Sequence, residues 1–275
     1  MQTKIAKNTI NKEKEFEFHK DTIINNVLTN LRNNLDKNEI FLSESDFKFT
    51  FAQFVKEYNA DEVILEYPIL TSKLYKNAPD KCKNGIKESY NCKNPQKRFE
   101  SDRTFIDLKF KYNDNIYFVE FKYKLKCPKC NIERYGNSFS IRTQSAHNIG
   151  RYQFYEDIER MEQIQLTKKC RSFVIFITND ENYWNCDTTS KNRNKADKSD
   201  KNFQLKDKKE IMTNYDNGLA YLGGKKCKIK TGKSNYSRRN IFVANNYKIE
   251  WKEFKSIQNN TSKFNILTIE CAAPH

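Results

Sequence analysis

The sequence predicts an α/β fold in which a central mixed β-sheet is flanked by helices and carries insertions and a basic C-terminal region. Three observations support this. Two helical periodicities precede the first strand-like run, a hairpin of β-branched and aromatic segments follows, and a further helix leads into the nearly all-apolar strand Phe173 to Thr178. Strand, strand, helix and buried strand in that order describe a layered α/β core.

The elements follow in chain order. From Asp21 to Leu35, Ile23, Ile24, Val27, Leu28, Leu31 and Leu35 recur at three- and four-residue steps, one face of an amphipathic helix. Ser43 suits an N-cap, with Glu44 and Asp46 in the first turn favouring the helix dipole and Phe47, Phe51, Phe54, Val55 and Tyr58 forming the buried side. Val63 to Leu70 is a strand whose Pro68 fits only its end or a sheet edge. From Thr71 to Arg98 the pattern gives way to Lys, Asn, Gly and Pro, which predicts an insertion. Arg103 to Lys111 and Ile116 to Lys124 form a hairpin about Asn113-Asp114-Asn115. A second insertion, residues 124–141, precedes a helix over Gln144 to Gln163. Ile241 to Val243, Tyr247 to Trp251 and Phe264 to Ile269 predict closing strands, and Lys191 to Asp207 predicts a mobile loop. The chain thus divides into a helical extension (1–42), a core (43–184) and a basic region packed on it (185–275).

Fifty Lys and Arg against thirty-five Asp and Glu leave a formal charge of +15, which attracts polyanions, nucleic acid first among them. The stretch from Asn185 to Asn240 alone holds fifteen Lys and Arg against six Asp and Glu. No apolar run approaches the roughly 20 residues that span a bilayer, and the polar first twenty residues do not resemble a secretory signal. Eight cysteines in that setting predict reduced thiols or metal ligands and a cytoplasmic location.

The chemistry concentrates in the hairpin. Asp107 lies on its first strand, and Glu120 and Lys122, two residues apart, point to one face of the second. A bare Glu-x-Lys in a lysine-rich chain more often marks a solvated face. Here the motif is embedded among Phe118, Val119, Phe121 and Tyr123, which predicts burial, and a buried charge costs several kcal/mol unless paired or bound to metal. Hard Mg²⁺ prefers carboxylate oxygens, and Asp107 and Glu120 suit it. Lys122 could position the attacking water, deprotonate it with a pKa lowered by nearby cations, or stabilise developing charge.

These residues resemble the PD-(D/E)xK nuclease superfamily, in which an Asp on one strand is followed by Glu-x-Lys on the next. Ile106-Asp107-Leu108 and Val119-Glu120-Phe121-Lys122 carry the match, with Ile106 in place of the nominal proline. Ser43-Glu44-Ser45-Asp46-Phe47 is similar to the family's first helix, and Gln144-Ser145-Ala146 with Gly150-Arg151-Tyr152 and Asp157-Ile158-Glu159-Arg160 to the helix after the motif. The similarity covers roughly residues 43–180. It implies a restriction-endonuclease-like core and Mg²⁺-dependent hydrolysis of DNA phosphodiesters. It also implies Glu44, and more weakly Glu66, at the metal, Gln144 orienting the site and Arg151 on phosphate. A type II restriction endonuclease would act as a homodimer on double-stranded DNA alongside a cognate DNA methyltransferase. A non-specific, repair or defence nuclease acting on DNA or RNA, or a non-catalytic nucleic-acid-binding protein, are the other readings. Lys191, Arg193, Lys195, Lys225, Lys226, Arg238 and Arg239 are the expected DNA contacts in the basic region. Cys127-Pro128-Lys129-Cys130 has the form of a zinc knuckle, which Cys82 and Cys92 could complete as a structural Zn²⁺ site.

Overall fold

The computed structural model describes residues 18–90, 92–126, 130–141, 147–185, 205–208, 214–216, 219–221, 228–231, 234–237, 241–257 and 262–274. Helix α1 (Thr22–Asn34) is capped by Asp21, whose carboxylate accepts the Ile24 N–H at 2.9 Å. Helix α2 (Glu44–Glu57) is capped by Ser43, which accepts from Asp46 N at 3.1 Å. Strand β1 (Asp61–Leu70) follows, then three short helices, α3 (Thr71–Leu74), α4 (Asp80–Ser89) and α5 (Pro95–Ser101). The hairpin is β2 (Arg103–Tyr112) and β3 (Asn115–Lys124). Its turn residues Asn113 and Asp114 both have positive φ, as a two-residue primed turn requires. A small hairpin, β4 (Cys130–Arg134) and β5 (Asn137–Ile141), precedes helix α6 (His147–Thr167) and strand β6 (Arg171–Thr178). Two short pairs, β7 (Asn214–Asp216) with β8 (Leu219–Tyr221) and β9 (Lys228–Thr231) with β10 (Ser234–Ser237), lie in the basic region. The chain closes with β11 (Lys252–Ile257) and β12 (Ser262–Cys271).

One mixed sheet organises the molecule, in the order β1-β2-β3-β6-β12-β11. Only β3 and β6 are parallel, joined through α6; the other neighbours are antiparallel. Pro68 lies on β1, an edge strand, where its missing N–H costs no ladder bond. On one face α1 and α2 pack against Val119, Phe121, Tyr123 and Ile175. On the other, α3 to α6 pack against Phe118, Val174 and Phe176. Both faces of β3 and β6 are covered, which accounts for their unbroken apolar runs.

Two sequence expectations differ from the structure. The insertion 71–98 is largely helical, with Leu74, Cys82 and Ile86 turned into the core. Ile241 to Val243 and Tyr247 to Trp251 are not strands of the main sheet: their aliphatic residues are buried, but carboxylates of α6 take backbone N–H groups between Phe242 and Asn245, and Asp207 takes Trp251 N at 2.9 Å. Glu159 accepts Phe242 N at 2.8 Å, and Glu162 accepts Ala244 N at 2.8 Å and Asn245 N at 3.0 Å. The loop 191–207 falls largely outside the described residues, although Leu205, at its end, is buried and accepts from Trp251 Nε1 at 2.7 Å.

Candidate active site

β2 and β3 pair from Tyr112 and Asn115 as far as Leu108 and Val119, where the ladder ends. Beyond it, side chains accept N–H groups of β3. Asp107 Oδ2 takes Phe121 N at 2.8 Å, and Glu44 Oε2, from the first turn of α2, takes Tyr123 N at 3.0 Å. Ile106 and Leu108 belong to opposite core faces, so β2 reverses its facing at Asp107. Across on β1, Glu66 lies between residues paired with Ile106 and Leu108 and has φ 52°, a left-handed conformation that costs a non-glycine residue on the order of 1 kcal/mol. The parted strands and this kink bring the functional side chains together.

Glu120 shares the face of Phe118 toward α6, where Arg160 Nη2 lies 3.1 Å from its Oε1. Arg160 also pairs with Asp157, and Lys122 Nζ lies 2.7 Å from Asp157 Oδ2. Lys48, one turn beyond Glu44 on α2, bonds Asp107 Oδ1 at 2.9 Å and also pairs with Glu66. Five carboxylates (Glu44, Glu66, Asp107, Glu120, Asp157) thus meet three cations (Lys48, Lys122, Arg160), an excess of two negative charges when all are ionised. Exposure is graded: the Glu120 side chain is 3% exposed, Lys122 12%, Asp107 15% and Glu66 56%, so the cluster opens toward the β1 edge.

Burial pushes the Glu120 carboxyl well above its ordinary value, and Asp157 and Asp107 add to this against Arg160 and Lys122. Burial would raise Asp107 too, but its hydrogen bonds with Glu120, Phe121 N–H and Lys48 hold it below the usual range. Such a carboxylate pair calls for a shared proton or a bound cation. Burial raises Glu44 despite Lys122 and the Tyr123 N–H. Burial alone would lower Lys122, yet Asp157, Glu44 and Glu120 raise it above the ordinary lysine value. Its principal neighbours are therefore carboxylates rather than the cations expected from sequence, and the side chain is firmly an ammonium.

Among the described residues no group of three or more His, Cys, Asp or Glu forms a ready metal cage. The Asp107 and Glu120 pair nevertheless suits Mg²⁺, which is commonly held by one or two carboxylates with water and substrate oxygens completing the shell. Buried Glu120 Oε1 accepts no aligned hydrogen bond and has the Arg160 guanidinium 3.1 Å away, so a cation bound there would share the carboxylate with Arg160.

The sequence-selected residues Asp107, Glu120, Lys122, Glu44 and Glu66 thus converge, while Gln144 lies outside the described residues. Arg151, expected on phosphate, is turned inward: it is buried, donates to Asn182 O at 2.7 Å and lies over the Tyr183 ring. Cys82, an expected zinc ligand, points into the core with Sγ 3.5 Å from Glu159, while Cys92 is exposed. Cys127 and the Cys130 side chain fall outside the described residues, as do Lys191, Arg193, Lys195, Lys225, Lys226, Arg238 and Arg239. His147, left unassigned from sequence, pairs with Asp180; burial would raise that carboxyl, but His147 and the Asn182 N–H hold it low. Lys48 was not singled out by sequence, although its i,i+4 spacing from Glu44 on one helix face was available.

Comparison with protein-family models, with curated proteins and with solved structures finds no match for this chain. No described helix is long and apolar enough to cross a membrane.

Proposed function

We propose that this chain is a Mg²⁺-dependent endonuclease of the PD-(D/E)xK superfamily, with a restriction-endonuclease-like core, that hydrolyses double-stranded DNA at a specific site as a cytoplasmic type II restriction enzyme. A homodimer and a cognate DNA methyltransferase belong to the same proposal. The observation that carries it is the pairing of Asp107 and Glu120 where β2 and β3 part, with Lys122 beside them. An amphipathic hairpin has no reason to bury such a carboxylate pair.

When bound, Mg²⁺ polarises the scissile phosphate and lowers the pKa of a coordinated water. Asp107 and Glu120 would hold it. Arg160 and Asp157 fix Glu120 and Lys122 from α6, so the carboxylate and the ammonium keep their orientation as substrate arrives. Lys122, kept protonated, orients the attacking water and stabilises negative charge developing on phosphate; as the water oxygen bonds to phosphorus its proton leaves to bulk water, the ester P–O bond breaks, and the leaving oxygen takes a proton from solvent. Glu44, on the Tyr123 N–H, positions the N-terminus of α2 against β3.

The test is cleavage of unmethylated phage DNA in Mg²⁺ and in EDTA by wild type, Asp107→Ala and Lys122→Ala. Discrete Mg²⁺-dependent fragments, reduced by about 10³-fold or more in both variants, are expected. A smear lost in both variants would replace site specificity with general nuclease activity. Undiminished cutting by both variants would remove the catalytic assignment, and no cutting of DNA by wild type would overturn the endodeoxyribonuclease reading.

A further inference from the structure

A cavity of about 760 Å³ opens where the end of β1 and helix α3 meet the C-terminal end of α6. Four cations line it, Lys73, Lys76, Arg103 and Lys168, and its lining holds no carboxylate. The nearest acidic residues in sequence are engaged elsewhere: Glu66 with Lys48, Asp80 with Lys83, Glu100 with Gln96, and Asp102 with Arg98. Lys168 is aimed, since its Nζ donates to Tyr67 Oη at 2.9 Å and lies over the Tyr67 and Phe118 rings. Lys73, Lys76 and Arg103 are exposed, so their charges reach an incoming ligand. The wall between them is apolar, formed by Pro68, Ile69 and Leu166. Cations around an apolar wall suit a ligand that alternates phosphate with sugar.

The position is equally specific. Tyr67, which lines the cavity, follows Glu66 on β1, the edge toward which the carboxylate cluster opens. Arg103 lies four residues before Asp107 on β2, about 13 Å along the strand, on the order of four base-pair rises of a duplex.

We propose that this cavity is a phosphate-backbone site that holds a DNA strand a few nucleotides from the bond to be cut; the choice of DNA as the polyanion rests on the nuclease reading above. It fixes register along the strand and carries no base specificity, because its charged groups match phosphates rather than base edges.

Binding of a fluorescein-labelled DNA duplex to the full chain in EDTA, followed by anisotropy across a salt series, tests this. Lys73→Gln/Lys76→Gln/Arg103→Gln should bind at least about tenfold more weakly, with a slope of log K against log salt shallower by about 3. Lys37→Gln/Lys56→Gln, which removes charges from exposed positions at the ends of α1 and α2, should stay within about twofold of wild type. Both proteins should show the circular dichroism of wild type. Equal weakening in both, or an unchanged slope in the triple variant, would overturn the site. Cutting in Mg²⁺ separates the two proposals. DNA binding that depends on these three residues without any cleavage keeps the cavity and removes the nuclease; cleavage with an unaffected triple variant does the reverse.

Discussion

The Lys48 ammonium lies 2.9 Å from Asp107 Oδ1 and also holds Glu66, so it occupies one side of the carboxylate that Mg²⁺ would use. Two cations on one carboxylate repel. Lys48→Met should therefore tighten Mn²⁺ binding, followed by electron paramagnetic resonance, by about tenfold or more. Binding equal to or weaker than wild type would mean that Lys48 organises Asp107 rather than competing at it. The carboxylates and Lys122 were legible from sequence because charge within an apolar strand is improbable without a purpose. Lys48 was not: among fifty Lys and Arg, one more lysine on a helix carries no signal until a structure shows what faces it. Arg151 differs the other way: the family resemblance put it on phosphate, but it donates to Asn182 O and lies over the Tyr183 ring.

Helix α6 serves the site and the core at once. Its Gly150 allows the Tyr183 ring to lie against the backbone, and an added Cβ would collide with the phenolic oxygen. Gly150→Ala gains about 1 kcal/mol of helix propensity, but the clash should outweigh it and lower stability by roughly 1 to 2 kcal/mol in denaturant unfolding. On α6 farther along, Glu162 accepts four hydrogen bonds from Ala244, Asn245 and Tyr247, yet burial pushes its pKa from 4.5 up to about 7. Between those values the native state retains a proton that the unfolded chain has lost. Stability from this group is therefore complete below about pH 4.5 and falls as pH rises through 7, by about 3 kcal/mol at most. Glu162→Gln keeps the neutral form throughout, so subtracting its pH profile from that of wild type should leave this decline; a flat difference would refute the assignment. Helices α1 and α2 were readable because each buries a regular face, β3 and β6 because both their faces are covered, and β1 and β2 because of their β-branched and aromatic residues, although β1 is largely exposed and β2 changes its facing at Asp107. The short helices after β1 offer too few apolar positions for a period. The segment 241–251 read as strand because its aliphatic residues are indeed buried, while the carboxylates that take its backbone N–H groups lie about 80 residues earlier for Phe242 and Ala244 and 44 residues earlier for Trp251.

At the scale of the molecule, the basic second half contains more than an appended surface. β12 lies inside the sheet, pairing with β6 from Asn265 and Thr178 to Cys271 and Ser172, and β11 closes that edge. The sequence division at residue 185 therefore separates strands that share one sheet. A chain ending at residue 240 would lose β11, β12 and the segment that neutralises the polar burial of Glu159 and Glu162. It would expose Val174 and Phe176 along a new sheet edge. Each buried carboxylate stripped of its donors costs on the order of 1 to 3 kcal/mol, and the lost apolar burial of Ile249, Leu267 and Ile269 adds about as much per side chain. Together these come to roughly 5 to 15 kcal/mol, as large as the whole net stability typical of a domain. The truncated chain should show no cooperative thermal transition by circular dichroism and should be digested throughout by trypsin at concentrations that leave the intact sheet protected. A cooperative melt from residues 1–240 would mean that the carboxylate cluster and its four neighbouring strands form a self-sufficient unit, and that the C-terminal strands were added to a core already able to hold Asp107 and Glu120 together.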